Sequence, residues 1–388
     1  MQLKTSKKIF AHIDCDSFFA SCEVFRNPSL RGKMVCVGQD IVIAATYNAK
    51  NLWISVGTTV WDAQKILKGY GVFLPVDMKF YGQMSKKLMQ FLRIHTANVE
   101  VFSIDEAFVE LTGLDDMYST DYAGVASKLQ KQILQEVGIP VSIGVANTRI
   151  KAKIFSKIRK PYGIFAPLDV SQEDDTFQTL SFWKIPFIGK WYQERLRRKI
   201  RTIYEYKKLD YWYLAQHLWK NGTMLWLELN GVNSMTFRAK EGVKGLSRTR
   251  SFNHHKTNDK EFLWSQLLLN LHRVFEELII RQYEAKYVKI YLKTKELEKF
   301  SGERHLEGYT MDRYVFTQTM REIFETLYDS SYIYRKTGVI VWDFRPYSPK
   351  QLSLLEGENQ NFYKKKSMEE TVEKLNARFG RRTIKIGM

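Results

Sequence analysis

Cysteine is scarce in this chain: only Cys15, Cys22 and Cys36 are present, all in one N-terminal stretch. Their number is odd and no spacing is C-x-x-C, so neither a disulfide framework nor a zinc site is indicated. A reducing, cytoplasmic setting fits. Long apolar runs are lacking as well. None approaches the ~20 residues that cross a bilayer, and the charged start, Met1 to Lys8, is not followed by the apolar core of a signal peptide. Neither export nor membrane insertion is expected. Internal repeats and low-complexity tracts are also missing. Acidic residues are in deficit, 42 against 60 Lys and Arg, which leaves a formal charge of +18.

That excess favours a polyanionic partner through counterion release and steering, with nucleic acid the first candidate. Charge alone also suits a merely basic cytosolic protein, so the positions of the charges have to decide. At 388 residues, 44% hydrophobic and 26% charged, the chain has the balance of a soluble globular protein. Its length suits about two to four domains.

Lys8 to Asp14 alternates Ile9, Ala11 and Ile13 against Phe10, His12 and Asp14, the period of a strand. A helix over Ser17 to Phe25 is stopped by Asn27-Pro28. Met34 to Thr46 reads as two short strands and Asp62 to Leu67 as a short helix, so residues from about 21 to 75 look like a small insert. A helix from Phe80 to Ile94 precedes two strands, Val99 to Ser103 and Ala107 to Leu111, which flank Ile104-Asp105-Glu106 as a hairpin. Tyr122 to Val137 reads as helix, Pro140 to Val145 as strand, and Asn147 to Arg159 as a helix that Pro161 ends. Together these predict a sheet with helices on one face. On the last helix Ile150, Ile154 and Ile158 form an apolar stripe, leaving Arg149, Lys153, Lys157 and Lys160 for other faces.

Ser181 to Gly231 is helical with basic turns. A further unit runs strand (Arg248 to Asn253), helix (Lys260 to Arg281), strands (Tyr287 to Thr294, Arg304 to Tyr309), helix (Asp312 to Leu327) and strand (Thr337 to Phe344), a β-α-β-β-α-β order. The residues after Pro346 read as a tail in which Ser367 and Glu370 form a capping box for a helix over Met368 to Phe379.

Asp14 ends a strand and Asp105-Glu106 sits at a hairpin turn. Each alone is an ordinary polar position. Clustered, such acids repel unless cations join them, and hard oxygens suit magnesium. Two magnesium ions so held polarise a phosphoryl group and stabilise attacking and leaving oxygens in an in-line displacement. Phosphoryl transfer is the reaction class implied, and a nucleotide cyclase would share it.

The segments Ile13-Asp14-Cys15-Asp16-Ser17-Phe18-Phe19-Ala20 and Ser103-Ile104-Asp105-Glu106-Ala107 resemble the two metal-binding motifs of Y-family DNA polymerases, the group containing DinB-type polymerase IV and UmuC. The resemblance runs in the family's order from about Lys8 to Leu355. It implies an α+β right-hand fold: a ferredoxin-like palm (1–20 and 76–170), small fingers (21–75), a helical thumb (171–240), a β-α-β-β-α-β little finger (245–346) and a C-terminal tail (347–388). The activity implied is template-directed translesion DNA synthesis. No separate acidic exonuclease set accompanies it, so proofreading is not expected.

Carried over residue by residue, Asp14, Asp105 and Glu106 would ligate two Mg2+ with the Cys15 carbonyl, Asp105 and Glu106 being catalytic and Asp16 structural, as a helix cap. Phe18 and Phe19 would meet the nucleotide, with Phe19 as the steric gate beneath the sugar. Tyr47-Asn48-Ala49-Lys50 is similar to the family's Tyr-x-Ala-Arg segment, placing Tyr47 and Lys50 on the triphosphate, where lysine is a point charge and not a fork. Lys160 would join them, and Lys153 would contact DNA. Gly189 and Lys190 match the thumb hairpin that binds a DNA phosphate, although Phe187 replaces its first glycine and Lys199-Ile200 alters its second turn. Arg195, Arg197, Arg198, Lys199 and Arg201 supply charge nearby.

Arg248 and Arg250 would track DNA from the little finger. Gln351, Leu352, Leu354 and Leu355 resemble the peptide that docks on the bacterial sliding clamp. The partners implied are primer-template DNA, an incoming dNTP and the clamp, for a cytoplasmic monomer with no membrane attachment. UmuD-like subunits and the choice between the DinB and UmuC branches stay open. A non-catalytic recruitment factor with the same fold is the rival reading, and the intact acids oppose it. The basic thumb, the additional C-terminal domain and the clamp-like tail oppose a cyclase.

Overall fold

The computed structural model describes residues 8–96, 98–167, 169–235, 243–252 and 256–347. They fall into two compact units that divide after residue 237.

The first unit is organised by β1 (Phe10–Cys15), all six residues of which are buried. Burial on both sides requires two covered faces, and the alternation of the strand sorts its residues between them. Ala11, Ile13 and Cys15 point into one core. Phe10 belongs to another. Strand order is β5 (Val99–Val101), β6 (Glu106–Glu110), β1, β7 (Val141–Ala146) and β8 (Ile164–Phe165), antiparallel except for β7 with β8.

The first face is covered by α4 (Met78–His95), α5 (Leu114–Tyr118) and α6 (Tyr122–Gln132), with Leu88, Leu92, Val125 and Leu129 meeting Ala11 and Ile13. The second is covered by α7 (Arg149–Phe155). The expectation of helices on one face is thus corrected. Gly144 explains the approach: a Cβ there would lie 2.1 Å from Ser156 N and 2.2 Å from Ala152 O, so α7 and its C-terminal turn sit directly on β7.

Between α1 (Phe18–Arg26) and α4 lies the insert. Its strands β2 (Met34–Gly38) and β3 (Val42–Ala45) were expected; β4 (Gly71–Leu74), parallel to β2, was not. A small core of Cys36, Val42, Ala45, Ala49, Ile54, Ala63 and Leu67 joins them to α2 (Tyr47–Lys50) and α3 (Val60–Leu67), which Thr59 caps by accepting from Asp62 N at 3.0 Å.

Beyond β8 come α8 (Val170–Thr179), α9 (Lys190–Leu196), α10 (Ile203–Lys207) and α11 (Tyr211–Leu229). Phe177, Phe182, Leu196, Leu214 and Leu218 share one core with Ile150 and Phe155 of α7. Two buried charge networks tie these helices to α7. Glu173 accepts from Lys151 (2.7 Å) and Lys207 (3.3 Å), and the carboxylate of Glu228 accepts from Ile150 N at 3.3 Å.

The second unit follows the expected order: β9 (Gly245–Ser251), α12 (Lys260–Arg281), β10 (Tyr283–Thr294), β11 (Lys299–Thr310), α13 (Arg313–Leu327) and β12 (Tyr334–Pro346). Its antiparallel sheet runs β11-β10-β12-β9, and α12 and α13 pack Leu267, Leu271, Phe316 and Ile323 against Val288, Ile290 and Val339. No helix among the described residues is long and apolar enough to cross a membrane.

Candidate active site

The acids meet because of strand register. Asp14 on β1 lies directly opposite Glu106 on β6, and Cys15 N donates to Asp105 O at 3.0 Å. Asp105 precedes β6, in a turn where Phe102 N and Ser103 N both donate to Glu106 O, so it escapes the strand's alternation. Ser103 Oγ donates to the Asp105 carboxylate.

Alternation places His12 and Asp14 on the α7 face, and cations arrive from that side. Lys160, just beyond α7, donates to Asp14 Oδ1 at 2.5 Å and lies 3.4 Å from Asp16 Oδ1. Lys153 of α7 donates to Glu106 Oε2 at 2.6 Å and sits 4.4 Å over the Phe102 ring. It is only 6% exposed. Expected on an open basic face of this helix, Lys153 is instead turned inward to a carboxylate.

Burial pushes the Glu106 carboxyl up. Lys153 opposes that rise, and Asp14 and Asp105 reinforce it. Burial lowers the Lys153 pKa despite Glu106. Burial also works against the charge of Lys160, but Asp14 and Asp16 outweigh it and raise its pKa. Wholly buried His12 is held well below its ordinary range by desolvation and by Lys153, Lys157 and Lys160, and so is neutral.

Asp16 does not cap α1. Buried at 2% exposure, it accepts from Ser142 Oγ (2.9 Å), Tyr162 N (2.7 Å) and the Tyr47 hydroxyl (3.3 Å). Its role is to join β1, β7, the loop after Lys160 and the insert. Lys50 of α2 donates to Ser17 Oγ at 2.7 Å and lies 4.6 Å from the Tyr47 ring centroid. Burial, followed by nearby Lys160, lowers its pKa. Phe18 is buried in the core. Half-buried Phe19 stacks on Tyr81 at 4.6 Å and 22°, and the Tyr81 hydroxyl donates to Glu23 at 2.7 Å. Of the two rings only Phe19 keeps a partly open face.

The remaining expected residues among the described ones belong to other elements. Gly189 and Lys190 are exposed at the start of α9, and Phe187, in the glycine's place, holds φ = 67°, a left-handed conformation that a glycine adopts without strain. In the second unit Leu246, Arg248 and Arg250 share one side of β9, opposite Val341, Val339 and Thr337, which is the helix-covered side. Arg248 consequently pairs with Glu277 of α12 at 3.3 Å while Arg250 stays exposed. The face turned away from α12 and α13 carries Tyr287, Trp342 and His305, with ring centroids 5.0 and 3.6 Å apart about Tyr287, and Lys289. Gln351, Leu352, Leu354 and Leu355, like the helix expected at Met368 to Phe379, lie outside the described residues.

His12, Ser142 and Ser156 were missed by sequence reasoning. The alternation that puts His12 beside Asp14 is the signal that could have found the first.

Among the described residues no three of His, Cys, Asp and Glu form a ready metal cage. Two of the acids are occupied by lysines. The donor set still fits magnesium: three carboxylates supply hard oxygens, and both Asp14 and Asp105 lie close enough to Glu106 to oppose its charge.

Residues 13–157 match the impB/mucB/samB family, and residues 243–354 match the impB/mucB/samB family C-terminal domain. DNA polymerase IV of Methanoculleus marisnigri is 30% identical over 323 residues, spanning 80% of this chain and 87% of the relative. DNA polymerase IV of Oceanobacillus iheyensis is 27% identical over 389 residues, spanning 97% and 91%. Among solved structures, a Y-family DNA polymerase chimera of Dbh and Dpo4 matches with a TM-score of 0.72 at 23% identity, covering 87% of this chain and 99% of that one. An insertion ternary complex of Dbh DNA polymerase matches at 0.54, with 22% identity, 87% and 99%. With its motifs in the family's order and relatives that align along most of its length, the chain belongs to the impB/mucB/samB family, the Y family of DNA-directed DNA polymerases.

Proposed function

We propose that this polymerase adds deoxynucleotides to a primer 3′-hydroxyl opposite a template by two-metal phosphoryl transfer, without proofreading. The observation that carries the reading is the opposition of Asp14 and Glu106 across β1 and β6, with Asp105 beside them and three lysines at the same sheet edge. Asp14, Asp105 and Glu106, with the Cys15 carbonyl, would hold two magnesium ions. Bound there, the ions would lower the pKa of the primer hydroxyl and stabilise charge on the transferring phosphoryl group.

Lys160, Lys50 and the Tyr47 hydroxyl receive the triphosphate, drawing its charge toward the acids. Phe19, braced on Tyr81, excludes a 2′-hydroxyl from the sugar position. The palm comprises 1–20 and 76–170, the fingers 21–75, the thumb 171–240 and the little finger 245–346. DNA phosphates meet Gly189 and Lys190 in the thumb. In the little finger they meet Arg250 and the sheet face turned away from α12 and α13, where Lys289 supplies charge and Tyr287 and Trp342 supply apolar surface. Gln351 to Leu355 docks on a sliding clamp.

Primer extension with the purified protein, Mg2+ and all four dNTPs tests the reading. The parent should extend the primer and leave a mismatched terminus uncut, while Asp105→Ala, checked for folding by circular dichroism, should be inactive. Failure of the parent to extend would overturn it in favour of a non-catalytic DNA- and clamp-binding factor.

A further inference from the structure

His12 is wholly buried on the sheet face beneath α7, its ring 4.6 Å from that of Phe108. An imidazole is costly to bury unless its nitrogens are bonded. Here both are. Lys153 Nζ lies 3.3 Å from Nε2, and Ser156 Oγ lies 2.8 Å from Nδ1.

The chemistry of the donors settles the direction of each bond. An ammonium can only donate, so Nε2 accepts from Lys153. The ring proton is then on Nδ1 and is given to Ser156 Oγ. The hydroxyl proton of Ser156 is left free to go to Lys153 O, 3.0 Å away. The result is a closed loop that leaves Lys153, crosses the imidazole and returns to its own backbone. Glu106 Oε2 and the Phe102 ring occupy two further sides of the ammonium.

We propose that His12 and Ser156 clamp Lys153 as a positioning device for Glu106, so that the ammonium meets the catalytic carboxylate at a fixed place instead of meeting a DNA phosphate. The proposal rests on the polymerase reading of the acids. A lysine with Glu106 as its sole polar partner would follow that carboxylate and compete with any cation for its oxygens. His12 Nε2 gives the ammonium a second anchor that stays put. Removal of the anchor leaves Lys153 committed to Glu106, and metal binding weakens.

The test compares His12→Phe, which keeps a ring against Phe108 but no acceptor, with His12→Gln, whose amide oxygen can accept from Lys153 and whose NH2 can donate to Ser156. Mn2+ binding is titrated by electron paramagnetic resonance on the enzyme with a dideoxy-terminated primer-template, where no turnover occurs. His12→Phe should weaken Mn2+ binding by about tenfold, the usual effect of losing an outer-sphere partner, and His12→Gln should restore most of it. In primer extension, His12→Phe should lower kcat while KM for the dNTP stays within about twofold, the signature of a group that acts beyond ground-state binding.

Equal behaviour of the two variants would overturn the proposal. So would intact Mn2+ binding coupled to weaker DNA binding, which would return Lys153 to a phosphate-contact role. Should His12→Phe not fold, Ser156→Ala opens the loop at its other link, and unchanged Mn2+ binding there is equally fatal. Failure of the parent itself to extend primers would instead sink the polymerase reading.

Discussion

Gly144 connects the packing of the first unit to its chemistry, and Gly144→Ala measures that connection. The backbone itself tolerates alanine, because Gly144 is not in the left-handed region. Space is the obstacle: the added Cβ would fall 2.1 Å from Ser156 N, 2.2 Å from Ala152 O and 2.6 Å from Phe155 C. All three are backbone atoms of α7 and its end, so no side-chain rotation relieves the clash. An ordinary contact begins near 3.4 Å, and α7 has to retreat from β7 by about 1.3 Å.

Overpacking of this kind costs about 3 kcal/mol, the upper part of the usual range, because the neighbours cannot yield singly. The melting temperature should fall by roughly 6–12 °C in a unit of this size. The same retreat carries Lys153 and Ser156 away from His12 and Glu106, whose contacts lie between 2.6 and 3.3 Å. Misplacement by about 1 Å at a reacting site lowers turnover on the order of 10²-fold. Thermal melts followed by single-turnover primer extension well below the lowered melting point read the two effects separately. A variant that melts with the parent would refute the packing argument, and one that melts early yet turns over normally would refute the link from α7 to Glu106.

Gly82 in α4 is the converse case: a Cβ there meets nothing within 4 Å, so Gly82→Ala should stabilise the chain by about 0.5–1 kcal/mol in urea titrations, and a loss would contradict the helix packing. Phe19→Ala removes the ring stacked on Tyr81, and relief of a clash of about 1–3 kcal/mol should raise ribonucleotide use by roughly 5- to 150-fold in competition assays; unchanged sugar selection would remove the gate. All three cysteines are buried, and burial raises each thiol pKa, that of Cys22 to about 12, so the reactive thiolate is not formed near pH 8. Iodoacetamide at pH 8 should leave the native protein unmodified by mass spectrometry and label it three times in urea; native labelling at Cys15 would contradict its place in the core.

The acids were legible because their signal is local. A period of two placed Asp14 at the end of a strand, a hairpin turn placed Asp105 and Glu106, and the register of β1 with β6 joins them. Lys153 was not legible, because a lysine on an amphipathic helix defaults to water. What turns it inward is a carboxylate 47 positions away and a glycine that lets the helix descend. The short β4 escaped for a related reason: four half-buried residues show no alternation, and a parallel partner leaves no hairpin signal. In β9 the pattern was present but its sense was not. Arg248 and Arg250 are in phase with Leu246, and it is the apolar residue that marks which side faces the helices.

Two lysines thus hold two acids, yet their surroundings divide their work. Lys160 comes from a loop, its side chain keeps 21% exposure, and among the described residues its ion-pair partners are Asp14 and Asp16, so on the proposed reading an arriving phosphate would draw it off Asp14. Lys153 keeps 7% and is tied back through His12 and Ser156 to its own helix. An ammonium so anchored is held at Glu106. On the proposed reading, the same charge would serve as a mobile ligand for substrate at Lys160 and as a fixed support for the Glu106 carboxylate at Lys153. The family resemblance points to both lysines, and the buried imidazole tells them apart.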